Sequence, residues 1–503
     1  MQIWLSTLSS LGLDVVPGSV VTDPCAEFGL VRVAAGARLA VLADPRSAGF
    51  AGFEGESSQH GDRVLVLGPL NGRNAAALRA QLPWLRPALI GLRTSAGFGD
   101  RLGRATPGHI RAIRATGGAV APVFAQQSMR EMGRTGRTPA DVVDDAMWGV
   151  FGEGWRDGFG TDADHLKTTD DVDRCVAGGF TGFTVDPGEH VWSGADSALP
   201  ADVQAAVAQL PWDLLEDREP ALKARFLGRG FDVGSQAIRF DEAQLARAAA
   251  KYGRAVAHVV RMYRHLVGTV GAGTFELEVS VDETDSPTSH AEHFYVASEL
   301  KRLGVSWVGL APRYVGRFEK GVDYIGDLKA FEQDIAVHAE IARALGPYKL
   351  SLHSGSDKFA IYPIVATHCR GLAHLKTAGT SYLEALRTVA AVAPGLFREI
   401  YDLCRGRYET DRASYQVSAS VASAPRPDEI PDDKAVSVLD QFDARQILHV
   451  TFGSVLTEHS ADGSRRFYDR FMAVLDAHPD VYAGYLESHF GRHLAPFVSA
   501  LEP

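Results

Sequence analysis

The chain has 503 residues, 46% hydrophobic and 22% charged, an ordinary globular composition with material for a large core. With 51 Lys and Arg against 62 Asp and Glu the net charge is −11, and there is no basic block, so nucleic acid and anionic membrane surfaces are poor partners. Four scattered cysteines, Cys25, Cys175, Cys369 and Cys404, include no CxxC pair and indicate neither a disulfide framework nor a thiolate zinc site.

The opening Met1-Gln-Ile-Trp-Leu lacks the basic and long apolar regions of a signal peptide. No apolar run reaches roughly 18 residues, the length a transmembrane helix needs. The expectation is a soluble cytoplasmic protein. Residues 1–87 read as an N-terminal extension, with short strands at Leu39 to Leu42 and Val64 to Leu67. Asn74 to Leu82 reads as a helix capped by Asn74 and ended by Pro83.

From residue 88 a strand–helix rhythm begins. Ala88 to Arg93 reads as the first strand, followed by Thr94 to Arg101 and a helix from His109 to Thr116. Gly118 to Phe124 is the second, ending at Gln126 and Gln127, with a helix from Pro139 to Val150. The third runs through Asp157 to Thr168, with Thr169-Asp170-Asp171 as a cap cluster for the next helix. Phe180 to Pro187 is the fourth. A Pro- and Asp-bearing excursion near 188–235 interrupts the rhythm, and a long helix from Asp241 to Val267 restores it. Thr274 to Thr284, Val305 to Leu310, Tyr348 to His353 and Gly371 to Thr377 are strands five to eight, separated by helices from Thr288 and Asp327. Ser381 to Ala393 begins the eighth helix. Eight such units over 88–409 predict an α/β fold, a (β/α)8 TIM barrel, with no GxGxxG or GxxxxGK[ST] to support a nucleotide fold. Residues 410–503 read as a C-terminal appendage packed on the barrel, with a strand at Gln446 to Val455.

Nearly every strand ends in functional side chains, and in a barrel those ends converge on one mouth. His165 and His353, from strands three and seven, suggest an open site for a divalent cation of two imidazoles plus a carboxylate, with Glu319 preferred as the third ligand and Asp282 able to serve instead. Zn, Mn, Ni, Co and Fe all suit such a set. In strand five, Glu276, Glu278 and Asp282 share one parity; the opposite, apolar parity must face the helices, so these acids point inward. Asp164 and Asp282 can then flank a substrate as general base and general acid, or support the imidazoles; Glu283 reaches the site only if the strand has turned. Arg93, Arg313, Lys358 and Lys376 suit an anionic substrate, with Asp100 and Gln126 beside them at strand ends.

Gly99-Asp-Arg-Leu-Gly, Asp162-Ala-Asp-His-Leu-Lys-Thr168, Val281-Asp-Glu-Thr-Asp-Ser-Pro-Thr288, Phe318-Glu-Lys-Gly-Val-Asp-Tyr-Ile-Gly-Asp327 and Ser351-Leu-His-Ser-Gly-Ser-Asp-Lys-Phe359 resemble the signatures of the tagaturonate epimerase family. The resemblance implies a metal-dependent barrel enzyme of hexuronate breakdown that interconverts D-tagaturonate and D-fructuronate, with a small anionic sugar acid as its substrate. It implies Asp164 and the Asp282-Glu283 pair as acid/base groups, and His165, Glu319 and His353 as metal ligands. The two sugars differ at the fourth carbon, β to the ketone, where enolisation cannot act, so a retro-aldol route is expected. Another metal-dependent barrel aldolase or isomerase of a sugar acid, and a non-catalytic sugar-acid binding protein, are the alternatives. The metal is left open, and so is the oligomeric state, a homo-oligomer included.

Overall fold

Eight short parallel strands whose alternate residues are polar close into a barrel in the computed structural model, which describes residues 4, 8, 11–33, 36–47, 50, 52–234 and 236–499. They are β1 (Ser95–Phe98), β2 (Ala121–Ser128), β3 (Gly160–Leu166), β4 (Gly182–Val185), β5 (Glu276–Val281), β6 (Gly309–Pro312), β7 (Lys349–Leu352) and β8 (Ala373–Thr377), each paired with its neighbours and β8 with β1. The fold is the expected (β/α)8 barrel. The opening Met1 to Leu5, read above for leader character, lies outside the described residues apart from Trp4. No helix among the described residues is long and apolar enough to cross a membrane.

The barrel axis is lined by the polar parity. Asp162 and Asp164 of β3, Glu276, Glu278 and Ser280 of β5, Lys349 and Ser351 of β7, and His374 and Lys376 of β8 all hydrogen-bond or ion-pair across the interior or lie fully buried in it. The opposite parity, Leu277, Val279 and Val281 on β5 or Leu350 and Leu352 on β7, packs outward into the main apolar cluster. A charged interior of this kind is retained only if its members pair with one another.

The first strand lies seven residues later than expected. Ala88 to Arg93 is not a strand: Leu89 and Leu92 are exposed, and Gly91 turns the chain at φ +66°. This run crosses the barrel floor, where Ile90 packs on Ala121 and Val123 and Gly91 donates its N–H to the Glu276 carboxylate. The apolar run is a plug, and the strand is the small-residue stretch Ser95-Ala-Gly-Phe98 after it. Arg93 therefore sits at the floor end, donating to the Gly118 carbonyl at 3.4 Å, and cannot reach the mouth as a substrate ligand.

Helix starts lie close to where they were expected, although the capping residues shift. Thr168 caps Thr169–Ala177 with Asp171 reciprocating, Asp241 caps Glu242–Val270 and Asp327 caps Leu328–Leu345. At the N-terminal side Asn71, not Asn74, caps Gly72–Gln81; Asn74 is buried, donating to the carbonyls of Pro69 and Glu54. The expected strand at Gln446 to Val455 is helical, Phe442–Val450 followed by Phe452–Thr457. All seven residues from Ala444 to Val450 are buried, the polar Arg445, Gln446 and His449 among them, so polar positions here do not mark a solvent face. The N-terminal residues form a six-stranded antiparallel sheet centred on Ala26–Val33, Gly36–Ala43 and Arg63–Gly68. The segment between β4 and Glu242 holds the helices Pro200–Ala208 and Glu219–Phe226 and a small hairpin.

Two interior histidines make the fold acid-sensitive. Burial pushes His109 down to about 4 and His374 down to about 3, against about 6.5 when unfolded. The unfolded chain alone binds these protons below pH 6.5, so stability is complete above that pH and falls as pH drops toward each folded value. Each histidine costs about 1.4 kcal/mol per pH unit in that window. The urea midpoint is expected to fall between about pH 7 and about pH 5, and His109→Gln to shrink the drop; a drop that His109→Gln leaves unchanged would contradict this.

Candidate active site

A cavity of about 500 Å³ opens at the C-terminal ends of the strands, within the range of small-molecule sites. Asp164, His165, Asp282, Glu283, Gln126, Arg313, His353 and Lys376 all line it. Its deepest charged group is Lys376, 3% exposed. The ammonium lies 2.8 Å from Asp162, 2.7 Å from Asp164 and 2.9 Å from Glu278, and donates to Thr184 Oγ1 at 2.6 Å. Three N–H groups face four acceptors, and the carboxylates respond differently. Burial and the neighbouring acids push Asp162 up, despite Lys376. For Asp164 and Glu278 burial acts the same way but is outweighed, by Lys376 together with the imidazoles, and both are held below the usual carboxylate range.

The two imidazoles expected to meet do so: the His165 and His353 ring centroids are 5.0 Å apart, edge to face. His353 Nε2 is 2.6 Å from Glu278 and Nδ1 is 3.2 Å from Asp282. Burial disfavours its charge, but Asp282 and the Glu278 hydrogen bond push it up to about 10. His165 Nδ1 is 3.2 Å from Asp186, and Nε2 is 3.9 Å from Asp164; burial is again outweighed by the acids, and its pKa is raised. Two imidazoles that hold protons this firmly sit in a field that favours any cation. His165, Asp186 and Glu283 present donor atoms that all lie within 4.8 Å of one another, a group able to hold a metal ion.

The loops carry strain here. His165 has φ +54°, Ser354 φ +49° and Asp357 φ +61°. Such left-handed conformations cost non-glycine residues about 1–3 kcal/mol each and collect at functional sites. Gly97 serves the same end by absence: a Cβ there would collide with the Gln126 amide. That amide is buried, with neither its nitrogen nor its oxygen hydrogen-bonded.

Four sequence-derived candidates lie elsewhere. Arg93 is at the floor. Asp100 accepts the backbone N–H groups of Leu102, Gly103 and Ala105 and shapes a turn. Lys358 is fully buried and spends its three N–H groups on the carbonyls of Glu319, Val322 and Ser356. Glu319 accepts from Ser418 at 2.7 Å and Gln446 at 2.9 Å, so the C-terminal segment, not the imidazoles, engages its carboxylate. Conversely, the sequence reading missed Asp186, Asp162 and Lys320. Asp186 follows β4 as His165 closes β3, and that equivalence was available. Lys320 lines the cavity and donates to Ser354 Oγ at 2.7 Å; burial lowers its pKa despite Glu131 nearby.

A closed parallel barrel with paired imidazoles, facing carboxylates and cationic side chains at its C-terminal mouth is the layout of a TIM-barrel enzyme. Residues 21–497 match the sequence model of tagaturonate epimerase, and the chain belongs to that family. It is 43% identical over 424 residues to the tagaturonate/fructuronate epimerase of Thermotoga maritima, covering 84% of this chain and 85% of that one. The crystal structure of fructuronate-tagaturonate epimerase from Cohnella laeviribosi with one glycerol superposes with a TM-score of 0.91 at 35% identity, covering 99% of each chain. The native crystal form gives the same score and identity over 98% of each.

Removing the Lys376 charge leaves three buried carboxylates facing one another. Lys376→Met is expected to lower the free energy of unfolding by about 3–5 kcal/mol, read from urea denaturation; a loss under about 1 kcal/mol would contradict a central role for the ammonium.

Proposed function

We propose that this chain interconverts D-tagaturonate and D-fructuronate by breaking and re-forming the bond between the third and fourth sugar carbons. The observation that carries this reading is the meeting of Asp164 and Asp282 with the His165–His353 pair in one cavity, in a chain of this family. The stereocentre to be inverted is β to the ketone, so its hydrogen is not acidified. Cleavage of the adjacent carbon–carbon bond needs only a base at the fourth-carbon hydroxyl and stabilisation of the enediolate left on the first three carbons.

Asp164, ionised by its contact with Lys376, takes the hydroxyl proton. The bond to the third carbon then breaks and its electron pair stays on the three-carbon enediolate. The aldehyde rotates about the bond to the fifth carbon and presents its other face. The enediolate re-adds, and the new fourth-carbon alkoxide receives a proton from the His353–Asp282 pair, in which the imidazole holds the proton beside the Asp282 carboxylate at 3.2 Å; the proton taken up by Asp164 then returns to the pair and resets both groups. Both fragments stay within the one cavity, which prevents their loss. Arg313 and Lys320 line the cavity, and the Lys320 ammonium donates to a hydroxyl, Ser354 Oγ, so they suit the substrate carboxylate.

A divalent cation fits the donor set of His165, Asp186 and Glu283 better than one that includes Glu319, because Glu319 is already engaged by Ser418 and Gln446. His353 can join only by releasing Asp282 or Glu278. When bound, such an ion supplies positive charge beside the substrate oxygens that become anionic.

Asp164→Asn and Asp282→Asn are each expected to lower kcat for D-tagaturonate about 10²–10⁴-fold while ligand affinity stays near wild type. A kcat within a few-fold of wild type in both would overturn the acid/base roles, and a wild-type chain inert on both sugars would overturn the function. Lys320→Met is expected to raise KM roughly 10- to 100-fold, the worth of one charge-assisted hydrogen bond; an unchanged KM would place the carboxylate elsewhere. Chelation is expected to abolish turnover and a divalent ion to restore it; full activity after chelation would remove the cation from the account.

A further inference from the structure

Outside the mouth, on the ring of helices, three more ligating side chains converge. His290 opens the helix His290–Arg302 that follows β5. Asp334 and His338 lie one turn apart on Leu328–Leu345, the helix after β6, a spacing that puts both on one face. His290 Nε2 is 3.1 Å and His338 Nε2 is 3.4 Å from the same Asp334 oxygen, Oδ1, and all the donor atoms lie within 4.8 Å of one another. Four ligands set tetrahedrally at about 2.0–2.1 Å from a zinc ion are about 3.3 Å apart. The two separations from Asp334 Oδ1 match that spacing.

Two of the three ligands are also held from behind. The second oxygen of Asp334 accepts the backbone N–H of Val315 at 3.2 Å. His338 is fully buried, and its Nε2 has no hydrogen-bond partner. Its Nδ1 is 2.8 Å from His293 Nδ1, and His293 Nε2 is 2.7 Å from the Tyr348 hydroxyl. With the His338 proton on Nδ1 and donated to His293, the lone pair of Nε2 faces the centre of the cluster, and His293 passes its own proton to the Tyr348 oxygen. This is the outer support that metal-bound histidines ordinarily have. Burial also keeps His338 neutral by lowering its pKa, as ligation requires. His290 is about one-third exposed, which leaves an open side for entry and for a water as fourth ligand.

We propose that His290, Asp334 and His338 form a second metal site, distinct from the mouth, that takes a zinc-class divalent ion. Val315, held by Asp334, belongs to the segment after β6 that also carries the cavity residues Arg313, Tyr314 and Lys320. An ion here would fasten that segment to the outer helices.

The test is a count of bound zinc on full-length protein, stripped with chelator, equilibrated with Zn2+ and freed of excess. His290→Ala is expected to bind one equivalent fewer than wild type, with far-UV circular dichroism unchanged. Asp334→Asn should do the same, and His165→Ala should still retain the equivalent that His290→Ala removes. Stoichiometry unaffected by either His290→Ala or Asp334→Asn would overturn the site and reduce the cluster to ordinary His–Asp pairing. Because the mouth is probed separately through His165, failure of one site does not imply failure of the other.

Discussion

Lys376 is the group on which the interior of this barrel depends. It reaches across the axis from β8 to acids on β3 and β5 and to a hydroxyl on β4, linking strands that are not neighbours. One ammonium cannot neutralise three buried carboxylates. The surplus negative potential falls on the next titratable groups toward the mouth, His353 and His165, and raises the affinity of both for a proton. The cavity is therefore acidic at its depth and around the imidazoles. Arg313 and Lys320, from the segment after β6, supply the opposite sign. A sugar acid placed with its carboxylate toward those cations and its hydroxyls toward the acids satisfies both ends.

The residues after 410 complete the site without lining much of it. Arg445 pairs with Asp357 at 3.1 Å and His489 pairs with the other oxygen at 2.6 Å. The backbone N–H of Asp357 donates to His493. Asp357 is one of the left-handed residues of the turn after β7, so helices remote in sequence fix the loop that follows His353. Gln446 and Ser418 hold Glu319 in the same way. The strain in these loops is sustained by packing that the barrel alone does not supply.

This division explains what could be read beforehand. The strand-five parity was legible because an apolar outer face alternates with an acidic inner one, and the strand-end histidines were legible because an imidazole stands where each of their two strands stops. The first strand was not, since Ser95 to Phe98 is a run of mainly small residues and the floor plug before it is more apolar. Lys358 and Glu319 look like site residues in sequence because they sit in polar turns beside the mouth. Their partners, backbone carbonyls of another loop and side chains about a hundred residues away, have no local signature. Lys376 was visible as a strand-end cation, but its role as a counter-ion inside the barrel requires knowing which acids face it.

Epimerisation turns on which bond yields at the fourth carbon. The direct measurement is nuclear magnetic resonance of D-tagaturonate converted by this protein in deuterium oxide. Carbon–carbon cleavage predicts D-fructuronate whose fourth carbon keeps its original hydrogen, since that atom travels with the aldehyde throughout. Deuterium at the fourth carbon of the product, accumulating at the rate of epimerisation, would contradict the mechanism argued from Asp164, Asp282 and the imidazole pair.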